Sequence, residues 1–288
     1  MQQNRGFEYG VIHIHSLYDG PIVEIVSMQL EIPPQEVQRL LDFGGIYFEN
    51  RRITHNQEVE KNNLVRIHTR PRRFLRQVSW PERILWQDSD YLVIDKPSGL
   101  PCHPTVDNLY ENVITQLSKA LNQPLFLTHR LDLPTSGVLV FAKNKKSQST
   151  FNKALGSSVS KIYEALVEHP NQALTIPLGP LTHFMEPSPR APKVVHKNKI
   201  PGSLHCELEI LKTERRNDSQ SWIQVRLGTG RTHQIRAQLA TLGFPIVGDT
   251  MYGAHSSSPK DADLGWDTIE LRATQITWSP YLWQTDGL

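Results

Sequence analysis

The stretch His129-Arg130-Leu131-Asp132-Leu133-Pro134-Thr135-Ser136-Gly137 sets a carboxylate on a tight turn, immediately before the apolar run Val138-Leu139-Val140-Phe141. Pro134 fixes its own φ and Gly137 can adopt torsions that other residues avoid, so a rigid loop around Asp132 is expected. The run that follows is short, apolar and rich in valine, as a fully buried strand would be. A carboxylate flanked by Arg130 and His129 at the mouth of such a strand points to chemistry. The same composition also fits an ordinary turn pair of Arg130 and Asp132.

On the amino-terminal side of this loop, Ile84-Leu85-Trp86 and Tyr91-Leu92-Val93-Ile94 read as two strands around the turn Asp88-Ser89-Asp90. Leu109, Val113, Leu117 and Leu121 recur every four residues, with Ile114 between, which predicts an amphipathic helix over 109–121. On the carboxyl-terminal side, 143–155 reads as a second helix stopped by Gly156. Tyr163 lies in a strand-like run, 162–167, and Trp222-Ile223-Gln224-Val225-Arg226-Leu227 alternates as a half-buried strand does. Gly228-Thr229-Gly230 breaks that strand, and 233–240 reads as a helix with Arg231 at its start. Glycines before a helix suit a phosphate, but the lysine and hydroxyl spacing of a P-loop is missing. A polar loop over 255–265 and a last strand over 269–277 complete the pattern. Strands and helices are interspersed, antiparallel links are short, and no regular βαβ alternation or internal repeat is present. The expectation is an α+β domain over 82–288.

The first 69 residues read as a separate small module. Gln35-Glu36-Val37-Gln38-Arg39-Leu40-Leu41-Asp42-Phe43 places Val37, Leu40 and Leu41 at helical spacing, with Gly44 and Gly45 as the stop. Short strands follow at 46–48, 51–53 and 64–67. Residues 70–81 form a basic linker that contains Pro71 and is closed by Pro81.

Composition narrows the class. The chain has 288 residues, is 38% hydrophobic and carries a formal net charge of +2, too small to announce a nucleic-acid partner by itself. The distribution says more. Arg70, Arg72, Arg73 and Arg76 crowd one stretch, Lys143, Lys145, Lys146 and Lys153 follow the strand after Asp132, and 187–206 holds Arg190, Lys193, Lys197 and Lys199 with no acid. Any one run could be a solvated face. Three of them flanking one candidate site fit an RNA backbone, with Arg72, Arg73, Lys193 and Lys197 as the candidates to meet phosphates. No apolar run approaches a membrane span, the first ten residues lack a signal-peptide core, and two cysteines cannot build a disulfide framework. A reducing cytoplasm, no membrane and a monomer are the expectations. Cys102-His103 and His205-Cys206 would make four ligands if they met in space, yet they lack the short Cys-x-x-Cys spacing of common zinc sites, so core thiols and no metal are expected.

The loop His129-Arg130-Leu131-Asp132 with Thr135-Ser136-Gly137 resembles the catalytic motif of the RluA-type pseudouridine synthases, which isomerise uridine in RNA. Further segments similar to the family's stand in the family's order. They are Asp95-Lys96-Pro97-Ser98-Gly99-Leu100-Pro101-Cys102-His103-Pro104, Lys161-Ile162-Tyr163-Glu164-Ala165, Gly230-Arg231-Thr232-His233-Gln234-Ile235-Arg236, and Gly243-Phe244-Pro245-Ile246-Val247-Gly248-Asp249 with Tyr252-Gly253. The resemblance implies a pseudouridine synthase fold, a mixed and mainly antiparallel sheet with flanking helices. It implies no cofactor, because the isomerisation needs neither redox nor external energy. It also implies that Asp132 is the catalytic carboxylate, Tyr163 the active-site tyrosine and Arg231 the arginine that pairs with the aspartate. A carboxylate in a pocket dry enough for a base needs such a partner, and arginine keeps its charge where lysine need not. Arg130 would fill the gap left by an extruded base, with His129 beside it on the RNA, and Leu227 and Ile235 would line the base pocket. One departure stands out: the family commonly follows its Ile-Arg with Val-His, whereas Ala237-Gln238 follow here, which bears on the outer helix face.

The amino-terminal module partly resembles the small RNA-binding domain of the ribosomal-protein S-four type, although Arg39 is the one clear cation of its helix. An alternative keeps the fold and the RNA but not the chemistry, as in a ribosome-assembly protein; the presence of Asp132, Tyr163 and Arg231 argues against it. A two-carboxylate glycoside hydrolase would need a second acid, and Asp95 and Asp249 read as structural turn residues.

Overall fold

The computed structural model describes residues 10–74, 77–169, 175–256 and 268–288. They divide into two units, Met1–Phe74 with His103–Gln116, and Leu75–Cys102 with Leu117–Leu288. Most of the loop expected over 255–265, and Arg76, lie outside the described residues.

In the first unit β1 (Val11–His15), β2 (Ile46–Phe48), β3 (Arg51–Ile53) and β4 (Leu64–His68) form an antiparallel sheet in the order β1-β4-β2-β3. The helices α1 (Ile22–Leu30) and α2 (Pro34–Asp42) bury Ile22, Ile25, Val26, Val37, Leu40 and Leu41 in one core with Ile46, Ile53, Val65 and Ile67. Pro34 suits the first turn of α2, where its missing N–H has no helical partner. The segment 103–116 belongs to this unit, and its first ten residues are not helical. Leu109 packs on Gly44 and donates its N–H to Phe43 O at 2.9 Å. The Asn108 side chain caps a turn by accepting the N–H groups of Tyr110 and Glu111 at 3.0 Å each. The helix α3 therefore starts only at Val113 and runs Val113–Ala120, opened by Asn112 Oδ1, which accepts the Thr115 N–H at 3.0 Å.

The second unit is a mixed sheet. Its strands are β5 (Ile84–Gln87), β6 (Tyr91–Lys96), β7 (Phe126–Leu127), β8 (Ser136–Ala142), β9 (Ser160–Glu168), β10 (Gly179–Met185), β11 (Val195–His196), β12 (Leu204–Asn217), β13 (Gln220–Leu227), β14 (Leu271–Trp278) and β15 (Tyr281–Gln284). The order is β11-β10-β12-β13-β9-β14-β8-β6-β5, with β15 beside β14 and β7 beside β8. Every described pair is antiparallel except β8 with β14. The valine-rich strand after the Asp132 loop, β8, lies inside the sheet between β14 and β6: Val138, Val140 and Ala142 face Tyr91, Val93, Phe151, Ile276 and Trp283 in one cluster. The helix α4 (Lys145–Ala154), capped by Asn144, covers that cluster through Phe151. The helix α5 (Gln234–Thr241) is buried on nearly every side.

Candidate active site

The two matched segments around Asp132 hold one another. Lys96, fully buried at the end of β6, donates from Nζ to the carbonyls of Thr135 at 2.8 Å, Pro97 at 3.0 Å, Leu133 at 3.3 Å and Asp132 at 3.4 Å. Gly99 N–H reaches Leu133 O at 2.9 Å, and Ser98 Oγ donates to Pro134 O at 2.7 Å. The buried Cys102 thiol accepts the Leu131 N–H and donates to Leu131 O, each at 3.3 Å. The backbone carrying Asp132 is thus fixed from one side by a lysine and a thiol. Gly137 fixes it from the other. Its φ is +107°, and a Cβ there would lie 2.0 Å from Ala273 O on the parallel neighbour β14.

The arginine that meets Asp132 is Arg236, not Arg231. Arg236 Nη1 lies 3.7 Å from Asp132 Oδ2, and the guanidinium is clamped by Asp249 through Nε to Oδ2 at 2.6 Å and Nη2 to Oδ1 at 2.8 Å. Burial is the largest influence on Arg236 and opposes its charge; the Asp249 hydrogen bonds, with the charges of Asp249 and Asp132, outweigh it and raise the pKa. Arg231 stands on the exposed turn before α5, its Nε donating to His205 O at 3.4 Å. The helix begins at Gln234 rather than beside Arg231, so the later arginine of the segment is the one turned inward. Asp249, expected as a turn residue, is 2% exposed and serves as the second carboxylate of this arginine. Asp95, the other, lies within β6 and pairs with Arg272 at 2.9 Å and Arg83 at 3.3 Å.

Tyr163 is 6% exposed on β9. Burial, and then the charge of Asp132, pushes its hydroxyl up, so the side chain stays a neutral phenol. Around Arg236 a second layer forms. Its guanidinium carbon lies 5.0 Å from the Tyr252 ring centroid. Tyr252 Oη accepts the Lys193 N–H at 2.7 Å and shares a hydrogen bond with His233 Nδ1 at 3.0 Å. The basic segment around Lys193 is thereby tied to the site through its backbone. Lys193 Nζ itself donates to Ser188 O, and Lys197 is exposed.

Ala237 and Gln238, expected on the outer face of their helix, are buried at 1% and 0% exposure. Gln238 Nε2 donates to His183 Nδ1 at 3.0 Å, while its Oε1 accepts from Gln234 Nε2 at 2.9 Å. Gln234 Nε2 also reaches Glu207 O at 3.0 Å, and its Oε1 accepts from Thr229 Oγ1 at 2.8 Å and Arg231 N–H at 3.0 Å. A glutamine thus supplies a satisfied buried polar chain that ends in the turn over the site.

Three expected RNA contacts, His129, Arg72 and Arg73, are engaged within the protein. His129 Nε2 accepts the Val140 N–H at 3.2 Å and the ring stacks on Phe151 at 6.2 Å between centroids, so it braces the strand instead of facing RNA; burial, then Lys161, holds its pKa down to about 3. Arg72 forks onto Asp107 with Nη2 to Oδ1 at 2.8 Å, and Arg73 onto Glu111 at 2.7 Å, so both are engaged inside the first unit. Arg130 is exposed and forms no ion pair with a described carboxylate. Leu227 and Ile235 are buried, at 9% and 5% exposure. Among the described residues no three His, Cys, Asp or Glu side chains cluster as metal ligands would, and no helix is long and apolar enough to cross a membrane.

Residues 90–241 match the family model described as RNA pseudouridylate synthase. Over 83% of its length the chain is 32% identical to the chloroplastic RNA pseudouridine synthase 6 of Arabidopsis thaliana, spanning 65% of that protein. It is 34% identical over 61% of its length to the ribosomal large subunit pseudouridine synthase D of Pseudomonas aeruginosa, spanning 55% of that protein. The fold is that of human RNA pseudouridylate synthase domain containing 4, with a TM-score of 0.57 and 22% identity over 73% of this chain and 90% of the human one. Because the family match takes in more than half of the 288 residues and includes the Asp132 loop, Tyr163 and the Arg236 helix, the chain belongs to the RNA pseudouridine synthase family.

Proposed function

We propose that the protein isomerises uridine to pseudouridine in structured ribosomal or transfer RNA, acting as a monomer without a cofactor, with Asp132 as the catalytic carboxylate. The reaction breaks the bond from ribose C1′ to uracil N1, turns the base, joins C1′ to C5, and moves the C5 proton off while N1 gains one. No electrons are exchanged. A carboxylate serves it either by attacking covalently or by moving a proton and steadying positive charge on the sugar. The observation that carries this reading is the ion pair of Asp132 with Arg236 on a loop whose backbone is locked by Lys96, Cys102 and Gly137. Such preorganisation puts charge where it is needed without reorganisation during the reaction. Tyr163 supplies a ring against which a flipped uracil can stack, and the exposed Arg130 offers a planar cation for the gap the base leaves.

Asp132→Asn is nearly isosteric but can neither attack as an oxyanion nor take a proton with comparable basicity. Tritium release from RNA labelled at C5 of uracil should fall by orders of magnitude, with RNA affinity little changed. Substantial turnover by the folded variant would remove Asp132 from the chemistry, and RNA binding without turnover by the unaltered protein would favour the noncatalytic alternative.

A further inference from the structure

Lys161 is a buried basic side chain with no ion-pair partner among the described residues. It sits on β9 two residues before Tyr163, with a bulge in the pairing against β14 between them, and is 8% exposed. Among the described residues no carboxylate pairs with it and no hydrogen bond is made by its Nζ. Burial lowers its pKa, and among the described residues no anion opposes that shift. Its position joins the matched segments. Its charge reaches His129 at the base of the Asp132 loop, and a Cβ built on Gly230 would come within 3.4 Å of its Nζ. Glycine at that turn leaves the ammonium uncovered where a larger residue would cap it. Burying an uncompensated ammonium costs stability, whereas Lys96, the other buried lysine of the site, is surrounded by carbonyls.

We propose that Lys161 is a substrate-contacting residue whose ammonium meets a phosphate oxygen of the RNA backbone beside the target uridine. The partner must be an anion to offset a compact, strongly hydrated charge, and phosphates are the anions RNA carries; uracil carbonyls are neutral. The inference rests on the proposed reading of the site as one that takes RNA. Gly228 and Gly230 flank a turn that a backbone can approach closely, and the exposed Arg231 stands between Gly230 and α5 to extend the same cationic mouth.

The test uses the full chain and a pool of in vitro transcribed ribosomal and transfer RNA tritiated at C5 of uracil. If the unaltered protein neither binds this RNA nor releases tritium from it, the proposed function fails first. Given binding and turnover, Lys161→Met should make the log-log dependence of affinity on salt shallower by about 0.7 to 0.9, the share of one phosphate contact. It should also lower kcat/KM at least about tenfold, mainly through KM, while leaving Tm equal or raising it. Lys161→Arg should keep the salt slope. An unchanged slope in Lys161→Met overturns the proposal, and with a fall in Tm it assigns Lys161 a packing role instead. Lys161→Gln, of similar length with a neutral head, answers the same question should the methionine variant not fold.

Discussion

Arg236 stands between two carboxylates that hold it unequally. Asp249 grips it with two short hydrogen bonds, and Asp132 touches it at 3.7 Å. The tight pair aims the guanidinium, and the loose pair leaves the Asp132 oxygens free for a sugar carbon or a proton. Breaking the tight pair alone is costly, since Asp249 is 2% exposed. Arg236→Met should destabilise by ~3–5 kcal/mol through the orphaned carboxylate, and Arg236→Met with Asp249→Leu should recover most of that. Turnover should stay at least ~10²-fold down in both, because the charge facing Asp132 is gone. Thermal melts and single-turnover tritium release on the same preparations check this. Recovery of turnover along with stability would reduce Arg236 to a counter-ion for Asp249.

At the scale of elements, the site depends on how closely two neighbouring strands approach. The backbone of β8 enters its parallel pairing with β14 at Gly137, where a methyl group would overlap Ala273 O. Gly137→Ala combines that overlap with a φ of +107° and should cost at least ~2 kcal/mol, lowering Tm by several degrees, and the displaced loop should lose turnover as well. An alanine variant with unaltered melting would mean that the two strands separate easily. The turn at Asp132 and the strand β8 are legible because proline, glycine and a run of valines mark them locally, whereas Asp132 and Tyr163 are singled out as site residues by resemblance to the family's motifs. Arg236 is not, because which of two arginines turns inward depends on where α5 begins, and that is set by Gln234 bonding back to Thr229, Arg231 and Glu207. The long strand β12 shows alternation at Cys206, Leu208 and Ile210 but ends in the exposed residues Thr213 to Asn217, whose charges hide it in sequence. Leu109 and Val113 share a helical spacing, yet Leu109 is spent on Gly44, and an asparagine cap starts the helix one turn later.

For the whole molecule, the decisive fact is that the chain leaves the second unit after Cys102, contributes 103–116 to the first, and returns. The sequence-based division at 70–81 treats everything beyond it as one piece. The side chains that hold 103–116 in the first unit are Arg72 on Asp107, Arg73 on Glu111, Arg52 on Thr105 O and the Tyr47 hydroxyl on Val106 O at 2.8 Å. Two of the cations read as phosphate contacts, Arg72 and Arg73, are therefore engaged in holding a segment that follows directly on the Cys102 clasp of the Asp132 loop. A chain lacking residues 1–76 should retain the sheet of the second unit but lose every one of these partners. Hydrogen exchange at the Leu109 amide, which donates to Phe43 O in the intact protein, should then quicken by orders of magnitude, with the amides of β8 as the unaffected reference. Tritium release measured on the same shortened chain tells whether disorder at 103–116 reaches the Asp132 loop through Cys102. Undiminished protection at Leu109 would show that 103–116 folds without its arginines and that the amino-terminal residues form a separable module.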